Sequence, residues 1–213
     1  MRMGRLDPRA ARPVASVERA RPAPWDGPDL PPDLHRGPMT LSALEGGTLI
    51  KTLHGERPAA ELELGDRVLT RDNGFQPVRW IARDAHGTAE QILHPALRPV
   101  EIAPGALGRG MPERPLFVSP ALRLLLTGHG VEMRFGREEV LVPAGFLDRL
   151  PGVRAAAPRA VHYVRLLFDR HELLMADGLW CESLHLPGGL PGGHAVPAAR
   201  RTLNHAETAI LLS

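Results

Sequence analysis

From Thr48 onward, short runs of branched and apolar residues alternate with turn-forming clusters, the pattern of a chain of short β-strands. Residues 48–53 read as a strand. Residues 67–70 and 76–83 read as two more, joined through Asp72-Asn73-Gly74, where Asn-Gly suits a hairpin because both residues tolerate positive φ. Residues 115–118, 122–126 and 131–135 continue the series. In the last of these Val131, Met133 and Phe135 fall on one face and Glu132 and Arg134 on the other, the period of a half-buried strand. Residues 140–142 precede 144–150, which read as one or two helical turns. Residues 161–168, 172–176 and 179–184 close the series, with Asp177-Gly178 as a second hairpin turn. The expectation is an all-β domain over residues 41–186.

The flanks differ. Residues 1–40 carry prolines at 8, 13, 22, 24, 28, 31, 32 and 38, which break helix and strand alike, and too few apolar residues to offset ordering entropy. They read as a disordered Pro/Arg-rich arm with one large apolar residue, Trp25. Residues 187–193 read as a Gly/Pro linker. In residues 198–213, Leu203, Ala206, Ala209, Ile210 and Leu211 recur at roughly helical spacing, so 187–213 is read as linker plus a short helix or frayed tail.

Composition narrows the function classes. The chain has 213 residues, 43% hydrophobic but only 4% aromatic, so Leu, Val, Ile and Ala must build the core. The net charge is +2, from 26 basic and 24 acidic residues interleaved along the chain. Lys51 is the single lysine. Although arginine binds phosphate well, the arm's arginines are diluted by Asp7, Glu18, Asp26, Asp29 and Asp33, which argues against nucleic acid as the partner. One cysteine, Cys181, excludes an intrachain disulfide and a Cys-based zinc site. No apolar run approaches the roughly 20 residues of a membrane span, and the N-terminus has no apolar signal core. The reading is a cytoplasmic protein with no membrane partner, unless export uses a C-terminal or partner-borne signal.

Three blocks, in order, carry a family resemblance. The first is Ala43-Leu44-Glu45-Gly46-Gly47-Thr48-Leu49-Ile50-Lys51-Thr52, followed by Gly55-Glu56-Arg57-Pro58 and Gly65-Asp66-Arg67-Val68-Leu69-Thr70. The second is Ser119-Pro120-Ala121-Leu122-Arg123-Leu124. The third runs from Val161 through Phe168-Asp169-Arg170-His171-Glu172 to Asp177-Gly178. Together they resemble the Hint domain, the self-processing module of inteins and hedgehog proteins, over residues 43–186. Stretches such as Thr70-Arg71-Asp72-Asn73-Gly74-Phe75 and Leu167-Phe168-Asp169-Arg170-His171-Glu172 are similar to the bacterial subgroup found in alphaproteobacteria.

The resemblance implies an all-β Hint fold with duplicated hairpins and a chemistry that this sequence does not complete. In the family a cysteine opens the first block and its thiol attacks the preceding carbonyl; here the position is Ala43. In the second block a Thr-x-x-His histidine protonates the departing nitrogen; here Ser119 stands for the threonine and Leu122 for the histidine. His171 matches the third block's histidine. Leu179-Trp180-Cys181-Glu182 follows where inteins carry His-Asn, and Asn73 and Asn204 are the only asparagines.

Other chemistry is weaker. His171-Glu172-Leu173-Leu174-Met175 has Met175 where a zinc-protease helix needs its second histidine. Gly105-Ala106-Leu107-Gly108-Arg109-Gly110 lacks dinucleotide-loop spacing, and no Walker-type Gly-Lys-Ser/Thr exists. The ten histidines show no metal-ligand spacing, so neither cofactor nor metal is expected. His162 and His171 read as strand and turn residues, and Cys181 as a small buried hydrophobe.

The resulting expectation is a degenerate, inactive Hint domain serving as a protein-interaction or scaffold module. Its protein partner would be contacted by the arm or by the cleft left where chemistry used to occur. The alternative is a self-cleaving protein with a relocated nucleophile, Ser42 or Thr48 (Thr40 is also near), using His171 or His54 as base.

Overall fold

The computed structural model describes residues 42–187 and 194–213. The expected arm at 1–40, with Trp25, and all but one end of the expected linker at 187–193 lie outside the described residues.

The N-terminal half is a run of hairpins. β1 (Leu44–Glu45) turns through Gly46-Gly47 into β2 (Leu49–Thr52), which pairs with β3 (Gly55–Pro58). The first turn is tight. A Cβ on Gly46 would lie 3.1 Å from the Ala60 Cβ and 3.4 Å from the His162 carbonyl. β4 (Arg67–Thr70) and β5 (Gly74–Pro77) follow, then β6 (Trp80–His86). The strand expected at 76–83 is thus two strands, broken where Val78 N–H turns back to the Asp66 carbonyl at 2.9 Å. The Asp72-Asn73-Gly74 turn forms, but as a three-residue connection in which only Gly74 takes positive φ (65°). Asn73 instead spends its side-chain amide on Glu172, donating at 2.9 and 3.0 Å.

The middle of the chain holds α1 (Thr88–Leu93), β7 (Val100–Ile102), β8 (Leu116–Val118), β9 (Arg123–Thr127), α2 (His129–Phe135) and β10 (Glu139–Pro143). Here the expected strand at 131–135 is overturned: those residues are helical. Gly128 (φ 121°) opens α2, and Gly136, in the left-handed conformation (φ 60°), closes it by donating to the Glu132 carbonyl at 2.8 Å. Val131 is buried, whereas Met133, which alternation would put on the same face, is 71% exposed.

The C-terminal half adds β11 (Val153–Ala155), β12 (Val161–Leu167), β13 (Leu173–Ala176) and β14 (Leu179–Glu182). β12 is paired on both sides and loses the polar alternation of a surface strand. Tyr163 through Leu167 are all buried, and Arg165 survives there by donating to Asp84 Oδ2 at 2.7 Å. β13 and β14 are joined by Asp177-Gly178 with φ of 44° and 79°, the two-residue hairpin expected from the sequence. Burial raises the Asp177 carboxyl pKa even though Arg114 Nε donates to it at 2.5 Å.

Two sheets result. One has six strands in the order β11-β7-β8-β1-β12-β6. The other has eight, in the order β10-β9-β14-β13-β2-β4-β5 with β3 beside β2. One apolar cluster draws on both, including Leu44, Ile50, Val118, Leu124, Leu166 and Leu174. The mostly β architecture expected from the sequence is the architecture found. Residues 198–213 are not a frayed tail. Thr202 bridges Leu141 in parallel, Leu203 is buried, and α3 (His205–Leu211) starts at a capping box formed by Asn204 and Glu207.

Candidate functional site

Ala43 sits just before β1 and is 1% exposed. Its N–H donates to Ser119 Oγ at 2.9 Å, and the Ser119 N–H donates back to the Ala43 carbonyl at 2.9 Å. β8 delivers Ser119 because Leu44 pairs with Val118, so the residue after β8 meets the residue before β1. The Ala43 methyl packs in a small cluster with Val161 and Tyr163. Tyr163 donates its hydroxyl to the Leu97 carbonyl at 3.0 Å, and burial pushes its pKa far upward.

Leu122 closes a turn on Ser119, its N–H donating to the Ser119 carbonyl at 3.1 Å. Its side chain is fully buried in the main core, not in the small cluster around Ala43.

A second, polar centre lies beside these residues. The Ser42 hydroxyl donates to Glu182 Oε1 at 2.8 Å. Glu182, the last residue of β14, has a side chain only 1% exposed. It also accepts from the Arg123 N–H at 3.2 Å and from Arg123 Nη1 at 2.9 Å. His171 Nε2 comes within 3.2 Å of Glu182 Oε2 without an aligned hydrogen bond. His171 Nδ1 accepts from the Ala199 N–H at 3.0 Å, which places the ring proton of the neutral imidazole on Nε2, towards the carboxylate. The ring stacks on His185 with centroids 4.3 Å apart, and His185 Nε2 bonds the Val196 carbonyl at 2.8 Å. Burial lowers the His185 pKa.

Of the residues singled out in the sequence, Ser42, Ala43, Ser119 and His171 therefore come together. The others do not. Thr48 is buried in the turn between β1 and β2, its N–H on the Glu45 carbonyl and its carbonyl on the Ala59 N–H. His54 is exposed in the turn after β2. The base nearest Ser42 is Glu182, with His171 behind it. Cys181 is buried, and burial drives its thiol pKa far up, which keeps it neutral.

Sequence reasoning missed Glu182 and Arg123. The available signal was a carboxylate ending the apolar run of β14, whose Cys181 and Glu182 are both buried. A strand buried on both faces that carries a carboxylate requires a buried cation or donor nearby. Among the described residues, no group of three or more His, Cys, Asp or Glu side chains is placed to hold a metal ion, and no helix is long and apolar enough to cross a membrane.

The Hint domain family profile matches residues 42–188. No curated protein sequence matches the chain. Among solved structures, an intein-like bacterial domain from Clostridium thermocellum aligns over 68% of this chain and 99% of its own, at 12% identity and a TM-score of 0.45. The gp41-1 intein aligns over 65% of this chain and 95% of its own, at 13% identity and a TM-score of 0.39. With its profile match spanning both β-sheets and all three sequence blocks, the chain belongs to the Hint domain family.

Proposed function

We propose that this protein is a Hint domain that no longer cleaves itself at residue 43 and serves as a protein-interaction module. The observation that supports it is the pairing of Ala43 with Ser119. The block serine holds the Ala43 N–H at 2.9 Å, while the side chain at that position is a methyl group. Cleavage before residue 43 needs a lone pair on that side chain to attack the Ser42 carbonyl carbon. It also needs a proton donor for the Ala43 nitrogen as the C–N bond breaks. Ala43 has no lone pair and Leu122 no proton. Loss of such a unit lowers rates by several orders of magnitude. Intact mass after prolonged incubation tests this reading: the chain stays at 23.2 kDa.

A second reading is favoured by one contact, the 2.8 Å bond from Ser42 Oγ to Glu182. In it Glu182 takes the hydroxyl proton, Ser42 Oγ bonds the Leu41 carbonyl carbon, and the Leu41–Ser42 C–N bond breaks. The proton passes to the released Ser42 amine, and water hydrolyses the resulting ester. Fragments beginning at Ser42 that disappear in Ser42→Ala would establish it. Glu182 already accepts from the Arg123 N–H and from Arg123 Nη1, so both its oxygens are engaged apart from Ser42, which weakens this reading against the first.

A further inference from the structure

We propose that His171 and His185 form a proton-operated latch on the C-terminal segment, closed over residues 196–199 while both rings are neutral and opened when one proton enters the pair. Nothing in this device depends on cleavage at residue 43.

Two histidines from different parts of the chain grip the same short stretch. His171 lies between β12 and β13, and its side chain is fully buried. Its Nδ1 accepts from the Ala199 N–H at 3.0 Å. His185 follows β14 and bonds the Val196 carbonyl at 2.8 Å; a carbonyl only accepts, so His185 Nε2 donates. The rings stack with centroids 4.3 Å apart and planes 12° from parallel. Each end of the stretch has one further tie. Val196 N–H donates to the Pro187 carbonyl at 3.2 Å, and Arg200 is held by Asp72 and Glu139.

The Ala199 bond exists only while His171 Nδ1 keeps its lone pair, and protonation of the ring removes it. The new N–H then faces the Ala199 N–H, donor against donor. The surrounding charges decide which ring takes the proton. Glu182, on β14, lies 3.2 Å from His171 Nε2 and favours a cation there. Arg123, on β9, opposes that cation, but its Nη1 is already spent on the same carboxylate at 2.9 Å. Burial, the His171 ring and Arg123 all act against charge on His185, whose pKa is lowered. The first proton therefore belongs on His171. The carboxylate that draws it in and the amide that cannot accept from it face opposite nitrogens of one ring.

The moving part is small. Leu203 is 1% exposed in the main core, and α3 starts at its own capping box, so these stay seated when 196–199 lift. Lifting uncovers the His171 ring on which Ala199 rests.

Amide hydrogen–deuterium exchange of the full-length chain tests the latch, with each rate divided by that of the free peptide 194–203 at the same pH. Between about pH 8 and about pH 5, where histidine titrates, protection at Ala199 should fall at least about tenfold while Leu141 and Leu203 keep theirs. Glu139 stays ionised over this range because its folded pKa lies below 4.5, so its tie to Arg200 holds throughout. His171→Asn puts an amide oxygen where Nδ1 accepts and does not titrate, so its Ala199 protection should be equal at both pH values. A second measurement needs no variant: the His171 Nδ1 nitrogen resonance should titrate with the midpoint of the Ala199 change. Unchanged Ala199 protection at pH 5, an equal fall in His171→Asn, or a His171 ring still neutral at pH 5 would each overturn the proposal. So would loss of protection at Leu203 together with Ala199, because the unit that opens would then be the whole sheet edge.

Discussion

Ala43 and Ser119 are bound to each other twice, through Ala43 N–H to Ser119 Oγ and Ser119 N–H to the Ala43 carbonyl, each at 2.9 Å. The backbone of residue 43 is thereby fixed, and the residue whose side chain would act there contributes only a methyl group. The geometry of this position is set by β1 and β8, whose pairing does not depend on what side chain residue 43 carries.

Because the side chain at residue 122 lies in the main core and not in the cluster around Ala43, the double change Ala43→Cys with Leu122→His should not restore cleavage before residue 43 when dithiothreitol is added. Leu122→His alone should leave the chain uncut and cost about 1–3 kcal/mol, because it buries a polar ring in the main core. Mass spectrometry after thiol treatment reads the first outcome and urea unfolding the second.

Glu182→Ala should be among the most damaging single changes, at about 3 kcal/mol. It removes the acceptor for Ser42 and Arg123 and leaves His171 Nε2 buried without its carboxylate. Arg154→Ala breaks a pair with Glu101 on a side chain that is 73% exposed, and should cost under about 1 kcal/mol. Urea unfolding of the two variants measures the contrast.

Leu203→Ala should destabilise the domain by about 2–5 kcal/mol, since the leucine is fully buried beneath β10 and its removal leaves a cavity. Ile210→Ala, on the exposed face of α3, should change stability by less than about 0.5 kcal/mol. Thermal melts of the two variants suffice.

Strong acid should loosen the C-terminal segment through Glu139. Burial pushes the Glu139 pKa up, but hydrogen bonds and charge from Arg71 and Arg200 outweigh it, so the folded pKa lies below the usual 4.5. A depressed carboxylate pKa contributes stability that is present above 4.5 and is lost as pH falls through the folded value. The wild type should lose more melting temperature between pH 7 and pH 3 than Glu139→Gln does. Equal losses would remove Glu139 from the account.

Much of the fold was legible because β-strand signals are local. Asp177-Gly178 marks its hairpin through the two positive φ angles that it adopts, and the apolar run that becomes β12 could only be a buried strand. α2 was misread because Val131, Met133 and Phe135 alternate. The decisive features were Gly128 and Gly136 at its two ends, whose backbone angles bracket one short helix. The candidate site was half legible. Ala43, Leu122, Ser119 and His171 stand out against a motif, whereas Glu182 and Arg123 meet Ser42 and His171 only through pairing of β14 with β9. That contact joins residues 59 positions apart and leaves no local pattern. The edge contact between β10 and residues 199–203 was illegible for the same reason.

The most direct test of the central claim is the intact mass of the purified wild-type chain after long incubation at neutral pH, with and without dithiothreitol or hydroxylamine. The account predicts a single species at the full 23.2 kDa under every condition. Accumulation of a fragment beginning at Ser42, abolished by Ser42→Ala, would contradict it and establish Ser42 and Glu182 as a working pair.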